Sequence, residues 1–448
     1  MTNDLAYDPR DGNPANRATS VAVLTANLNL DEADFMVQKQ WAMCIGDSLI
    51  SNGWGSTSTV KALKSRGWQN WVAVNLGQRI WIQDSFAVGG TTASDIITQY
   101  TDNIAVLSDK PGFLFISMGG NDLLSDDSQA AVDALKRDMD SLLTAVTSDG
   151  IIPIVLVGGA VDASLTDALR AAMYDYQTWL IAYAANKGNI VLVDGFTTLL
   201  DPLSLSGKPR AGTLFDDNVH FSTTAAQRIG AKGAETLSKL ILNTEKWYVS
   251  LNDDHGPNAN IVSNALMTGT AGTLGSGVTG VIADGWSSLT SGGVSMVGSK
   301  VAADADDDFQ GDWQQLTLSG GAANSTGLLF ATENTDYEIG DNVVSQMEIE
   351  ATGLTEITGV YLEFLCKNSG GSILARSRSV IMNDVAEEMD DFKGVLRTSA
   401  LVIPTDTVQV QIVLHSTATS AATSAGCTVK LRRNSTRPEL DGTVPVAP

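Results

Sequence analysis

Between residues 41 and 245 short apolar runs alternate with amphipathic stretches, and this alternation restricts the fold more than any other feature of the chain. The runs Ala42–Ile45, Ile80–Val88, Phe113–Met118, Ile152–Val157 and Ile190–Val193 read as buried strands. Helical patterns lie between or after them, over Thr92–Leu107, Ser128–Ser148, Ser164–Asn186 and Ser222–Leu242. The second of these puts Ala131, Leu135, Met139, Leu142 and Leu143 on one face, and Ser164 and Ser222 are placed to cap the last two. Five strands with helices between them predict an α/β domain whose parallel sheet is covered by helices on both sides.

Past about residue 245 the texture changes. Gly, Ser and Thr become dense, and short alternating stretches recur at Gln315–Leu318, Gly327–Ala331, Val343–Ile349, Val360–Leu365, Ser379–Met382, Gln409–Leu414 and Cys427–Leu431. Short strands between turn residues predict an all-β antiparallel sandwich or jelly roll. A chain of 448 residues exceeds what one core supports. The reading is therefore an N-terminal extension over 1–40, an α/β domain over 41–245, a linker over 246–260, a β-sandwich over 261–437 and a loose tail over 438–448. The net charge of −23 argues against nucleic acid or an anionic membrane as partner. No apolar run reaches the roughly 18 residues a membrane span needs. The start, MTNDLAYDPRDGNPANR, is not a signal peptide. Action outside the cell by another route, or within a virion or tail-like assembly, is the expectation. Cys44, Cys366 and Cys427 form no metal or disulfide framework. Cys366 and Cys427 would pair only on neighbouring strands; the plainer reading is three buried apolar residues.

Candidate chemistry collects at the carboxyl ends of the strands, the rim where open α/β sheets bind ligands. Ser48 follows the first strand in Gly46-Asp47-Ser48 and reads as a nucleophile. Of the three histidines, His255 lies in the linker and His415 in the second domain, which leaves His220 as the base. Asp217, three residues earlier, can accept from its Nδ1 and leave Nε2 facing Ser48. Asn121, in Gly119-Gly120-Asn121-Asp122, can donate to an oxyanion, and so can a backbone N–H at Gly89 or Gly90. Asp47 and Asp122 read as structural, and Asp216 competes with Asp217. Trp54 and Gly89 are candidates for lining the cleft, while Trp68, Trp71 and Trp81 read as packing.

In this order and at strand ends, GDS at 46–48, the glycine turn at 89–90, GGND at 119–122 and DNVH at 217–220 resemble the four blocks of the SGNH (GDSL-type) hydrolase family. The resemblance covers about residues 41–245. It implies a flavodoxin-like three-layer α/β/α sandwich with a five-stranded parallel sheet. It assigns Ser48 as nucleophile, His220 as base and Asp217 as its orienting acid, with Ser48 N–H, Gly90 N–H and Asn121 as the oxyanion hole. Gly90 is preferred because Thr91 and Thr92 follow it. The asparagine that the family often carries before this turn is missing, and Asp84-Ser85 stand nearby. No cofactor is implied.

Two features bear on the substrate. The run 303–312 concentrates aspartates, and Asp304, Asp306 and Asp308 are candidates for a structural Ca2+, although the spacing is not that of an EF-hand and a solvated loop is the alternative. The opening of the β-rich region is similar to β-sandwich modules of polysaccharide-acting and phage tail proteins, with Trp286 or Trp313 as stacking residues. Together these suggest an esterase that removes O-acetyl groups from a polysaccharide. The alternatives are a general short-chain carboxylesterase acting on small esters, and a non-catalytic glycan-binding or viral tail component.

Overall fold

A computed structural model describes residues 40–57, 59–158, 166–203, 209–214, 217, 219–241, 260–302 and 312–438. The chain divides into two compact units, one of residues 1–51 and 84–243 and one of residues 52–83 and 244–448.

The first unit is built on a five-stranded sheet. Its strands are β1 (Trp41–Gly46), β2 (Trp81–Ser85), β3 (Phe113–Ser117), β4 (Ile152–Val157) and β5 (Val191–Asp194), in the spatial order β2-β1-β3-β4-β5. Neighbours run parallel, with Ala42 beside Phe113, Phe113 beside Ile152 and Ile154 beside Val191. Every residue of β1, β3, β4 and β5 is buried, as a sheet packed on both faces requires. Four longer helices accompany it: α1 (Ala93–Asn103), α2 (Gln129–Ser148), α3 (Asp167–Lys187) and α4 (Thr223–Leu237). Their ends are set by local chemistry. Thr92 and Asp95 form a capping box on α1, and Ser128 and Ser222 accept from the N–H groups of Ala131 and Ala225 at the starts of α2 and α4. Thr166 caps α3 in place of the expected Ser164, which lies outside the described residues. On α2 the stripe Val132, Leu135, Met139, Leu142, Leu143 and Val146 is buried, at the spacing of one helix face. The strand order reverses between β1 and β3, and the crevice at such a reversal is where this architecture places its ligands.

The second unit holds two further sheets. One has eight strands, in the order Trp54–Ser56, Val60–Lys64, Ile373–Ile381, Ile357–Lys367, Gln409–Ala418, Thr326–Glu333, Ile282–Ser291 and Ala271–Leu274. The other runs Phe392–Arg397, Asn342–Thr355, Ala425–Pro438, Trp313–Gly321, Ser295–Val301 and Val278–Gly280, with Leu401–Val402 paired to Asn342–Thr355. Most neighbours are antiparallel. Parallel pairs join Ile282–Ser291 to Ala271–Leu274, Ser295–Val301 to Val278–Gly280 and Ile373–Ile381 to Val60–Lys64.

Two findings differ from the sequence reading. Residues 52–83, read as part of the α/β domain, group with the second unit, where Trp54–Ser56 and Val60–Lys64 extend the eight-stranded sheet; the boundary falls within β2, after Gln83. Trp286 and Trp313 are buried: the first donates its indole N–H to Asn264 O at 3.0 Å, and the second lies under the Arg432 guanidinium at 4.1 Å from the ring centroid. Neither is available to stack on a sugar. Cys366 and Cys427 do not pair, and all three thiols are free and buried, as the plainer reading held. Trp68 and Trp71 are fully buried, in line with the packing role read for them.

Gly46 is the tightest point of the first unit. Its φ is +144°, and a Cβ there would stand 2.6 Å from Ser117 O on β3. Gly46→Ala is expected to destabilise the protein by about 2–4 kcal/mol, through strain plus a backbone clash that no rotamer relieves. Urea unfolding followed by tryptophan fluorescence measures it.

Candidate active site

Each segment of the site is placed by the strand before it. After Gly46, the peptide turns into a single helical turn, Ser48–Ser51, where Asp47 O accepts from the N–H groups of Ile50 at 3.2 Å and Ser51 at 3.0 Å. Ser48 opens that turn and is half-buried. Asp47 points inward. One of its oxygens accepts from Leu49 N–H at 2.9 Å and from Ser117 Oγ at 2.9 Å. Burial pushes its carboxyl up to about 6, against those two hydrogen bonds and the nearby charge of His220, which pull it down.

The glycine turn is tied to the same peptide. Val88 N–H donates to Gly46 O at 3.0 Å and Thr91 Oγ1 donates to it at 3.2 Å. The Gln99 side chain holds Gly46 from α1: its Oε1 accepts from Gly46 N–H at 2.8 Å, and its Nε2 donates to Gly46 O at 3.1 Å. Within the turn the two glycines differ. A Cβ at Gly89 would stand 3.7 Å from Ser48 Cβ, so Gly89 is packed against the serine. Gly90 has φ +81° with open space around its Cα, so backbone geometry demands glycine there.

Beyond β3, Gly119 takes φ +106° and starts the short helix Gly120–Ser125. Asn121 Nδ2 donates to Thr91 O at 2.9 Å, which joins this segment to the glycine turn. Asp122 accepts from Ala93 N–H at 3.1 Å with each oxygen, and so caps α1. Asp47 and Asp122 both have the structural roles read for them.

The fourth segment precedes α4. A bridge between Leu214 and Phe221 closes the loop. Within it, Asp217 Oδ2 lies 2.5 Å from His220 Nδ1. Asp217 Oδ1 accepts from Val219 N–H at 3.0 Å and His220 N–H at 2.9 Å. Partial burial works against ionisation of Asp217, but the bonds from His220 and from the two backbone N–H groups outweigh it and hold the carboxyl down at about 2. Asp216 lies outside the described residues.

Three of the four segments line one cavity of about 60 Å3, whose walls include Ser48, Asn121, Leu156, Met173, Tyr176 and Val219. Val219 is the neighbour of His220, so the histidine loop reaches the cavity that holds Ser48. Sequence reasoning missed the contribution of α3, which supplies Met173 and Tyr176 to this wall, and the Gln99 clamp; a buried glutamine on an otherwise amphipathic helix carries no motif. Trp54 belongs to the second unit, in the end strand of its eight-stranded sheet. Asp304, Asp306 and Asp308 lie outside the described residues. Among the described residues no group of three or more His, Cys, Asp or Glu side chains is arranged to hold a metal, and no helix is long and apolar enough to cross a membrane.

Residues 44–228 match the GDSL-like lipase/acylhydrolase family. No curated protein matches the chain in sequence. Among solved structures, the chain is similar to a lipolytic protein of the G-D-S-L family from Desulfitobacterium hafniense, at 21% identity and a TM-score of 0.34, covering 44% of this chain and 99% of that one. It is also similar to an acylhydrolase from Bacteroides fragilis, at 18% identity and a TM-score of 0.35, covering 45% of this chain and 87% of that one. A mutant of an acetyl-xylooligosaccharide esterase from Geobacillus matches at 20% identity and a TM-score of 0.35, covering 48% of this chain and 98% of that one.

The environment of Asp47 has a measurable consequence. A buried carboxyl raised to about 6 favours the fold fully only below its unfolded value, near 4, and that advantage is lost as pH rises through about 6. Wild type is therefore expected to lose on the order of 3 kcal/mol from this group between pH 4 and pH 8. Asp47→Asn, which keeps the acceptor oxygen, should lack that dependence. Thermal unfolding of both proteins across this range tests it; parallel pH profiles would contradict it.

Proposed function

We propose, from the premise that residues 44–228 are a GDSL-like lipase/acylhydrolase domain, that this chain is a serine esterase removing short acyl groups, chiefly O-acetyl, from a polysaccharide. In this reading Ser48 Oγ attacks the ester carbonyl carbon while His220 Nε2 takes its proton. Asp217 accepts from Nδ1–H, fixes the ring and stabilises the imidazolium that forms. The carbonyl oxygen becomes an oxyanion and receives Ser48 N–H, Gly90 N–H and the Asn121 amide. Collapse breaks the bond to the sugar oxygen, which takes the proton from His220. Water, deprotonated by His220, then attacks the acyl-enzyme and frees the carboxylic acid and Ser48. All of the chemistry falls to side chains and backbone of the first unit.

The observation that carries the reading is that Ser48 and Asn121 share one small cavity, with the His220 loop on its wall. Size supports the choice of acyl group. About 60 Å3 open to a water-sized probe is several times the roughly 10–15 Å3 that one water needs by the same measure. A methyl and its carbonyl fit such a space. The apolar Leu156 and Met173 suit a methyl group. The 2.5 Å Asp217–His220 contact supports the base, because a carboxyl held near 2 remains an acceptor at any working pH. Support for a sugar comes from the far side of the glycine turn. There an open groove of about 550 Å3 is lined by Ser85, Asp95, Thr98, Asp102 and Asn103 together with the apolar Phe86, Ala87 and Val88, a mixed lining on a scale that suits a saccharide.

A p-nitrophenyl ester series tests the reading, run beside acetate release from acetylated xylan and acetylated bacterial polysaccharides. Acetate should be cleaved best and octanoate least. Ser48→Ala should lower kcat by about 10^4-fold or more, and Asn121→Ala by roughly 10^2–10^3-fold with little change in KM. Equal rates for acetate and octanoate would remove the short-acyl assignment. Full activity in Ser48→Ala would remove the serine mechanism.

A further inference from the structure

The second unit contains a cavity of about 470 Å3 that the esterase chemistry does not use. Arg79, Lys393, Arg432 and Arg433 line it, and among the described residues Glu348 is the one carboxylate in its lining. Four basic side chains thus gather around a single space, and Lys393 also pairs with Glu350 at 3.8 Å. This occurs in a chain whose net charge is −23, so the cluster is not a sample of a basic surface.

The backbone is bent to make it. Asn342–Thr355 and Ala425–Pro438 pair antiparallel, with Gln346 opposite Ser435 and Glu348 opposite Arg432. One residue, Met347, therefore faces two, Arg433 and Asn434, and this is a β-bulge. In a regular strand Arg432 and Arg433 would point to opposite faces. With the bulge, both guanidinium groups reach Glu348: Arg432 Nε donates at 2.8 Å and Arg433 Nε at 3.0 Å. Arg433 takes φ +51°, which a side-chain-bearing residue adopts at a cost. Asn434 locks the bulge: its N–H donates to Ala265 O at 2.9 Å, and its carbonyl accepts from Asn260 Nδ2 at 2.7 Å. Arg432 and Arg433 side chains are only 6% and 10% exposed, whereas Lys393 is 64% exposed at the rim. On another wall, Gly394 lets its strand approach closely, since a Cβ there would stand 2.3 Å from Val74 O. A strut between one glutamate and one arginine would not need the strained bulge that brings a second guanidinium to the same space.

We propose that this cavity is a binding site for an organic oxyanion of sugar size, the carboxylate of an acidic saccharide unit, held by Arg433, Arg79 and Lys393. The planar guanidinium fork matches a carboxylate. The volume falls within the roughly 300–1,000 Å3 of small-molecule sites, far more than a bare ion fills. The oxyanion site stands on this geometry alone; the choice of a saccharide rests on the polysaccharide reading above.

Isothermal titration of the full chain at low salt tests it, with glucuronate, galacturonate, glucose, inorganic sulfate and inorganic phosphate as probes. The uronates should bind and glucose should not. Arg433→Gly keeps the bulge, because glycine adopts positive φ freely, and it should weaken uronate binding by at least about tenfold. Lys393→Gln, on the exposed rim, should weaken it in the same direction while keeping the melting temperature and p-nitrophenyl acetate hydrolysis; it carries the test if Arg433→Gly unfolds early. Ser48→Ala should bind uronate as wild type does, so a failed esterase and a failed anion site give different results. Glucose binding as tightly as glucuronate, or no binding by any anion, would overturn the oxyanion site. Sulfate or phosphate binding as tightly as the uronates would overturn the saccharide.

Discussion

The peptide at Gly46 is the joint on which the first unit depends. It is gripped by the Gln99 amide at both its N–H and its carbonyl, at 2.8 and 3.1 Å, and its carbonyl also accepts from Val88 and Thr91. Its missing side chain lets β1 lie against Ser117 on β3. Thr91 then receives Asn121 Nδ2, so the turn after β1, the glycine turn and the turn after β3 move as one body. Such coupling is what the proposed oxyanion hole would need, since its proposed donors come from three separate stretches of chain whose spacing is kept only if they share a rigid reference.

Much of this was legible in the residues, and for physical reasons. A strand buried on both faces leaves a continuous apolar run, so β1, β3, β4 and β5 showed themselves to within a residue or two of their ends. The pairing of Asp217 with His220 followed from spacing, because three residues in a tight loop bring both side chains to one side. What the sequence hid was partnership at a distance. Val60–Lys64 has the composition of any half-buried strand, and nothing local says that it pairs with Ile373–Ile381 rather than with the α/β sheet. Trp286 and Trp313 looked like sugar platforms because tryptophan serves cores and surfaces alike; their burial follows from which face of each strand turns inward. Gln99 and the α3 wall of the cavity carry no motif, and only packing reveals them.

The two units offer different chemistries to a ligand. The groove beside the glycine turn carries Asp95 and Asp102 and suits a neutral sugar. The bulge cavity gathers Arg79, Lys393, Arg432 and Arg433 and suits an acidic one. The anion cavity holds its cations with backbone strain at Arg433, and the site in the first unit holds its glycine turn with positive φ at Gly90. At Arg433 a locally unfavourable conformation persists because the surrounding hydrogen bonds hold it, whereas Gly90 adopts its positive φ freely.

The central claim is that Ser48 becomes covalently acylated during turnover. A fluorophosphonate probe, which attacks an activated serine and mimics the tetrahedral adduct, tests this directly when followed by peptide mass spectrometry. The account predicts a single adduct on the peptide that carries Ser48, formed quickly in wild type and slowed by at least about 10^2-fold when His220 is replaced by alanine. An adduct on a different serine, or labelling that proceeds as fast without His220, would contradict it.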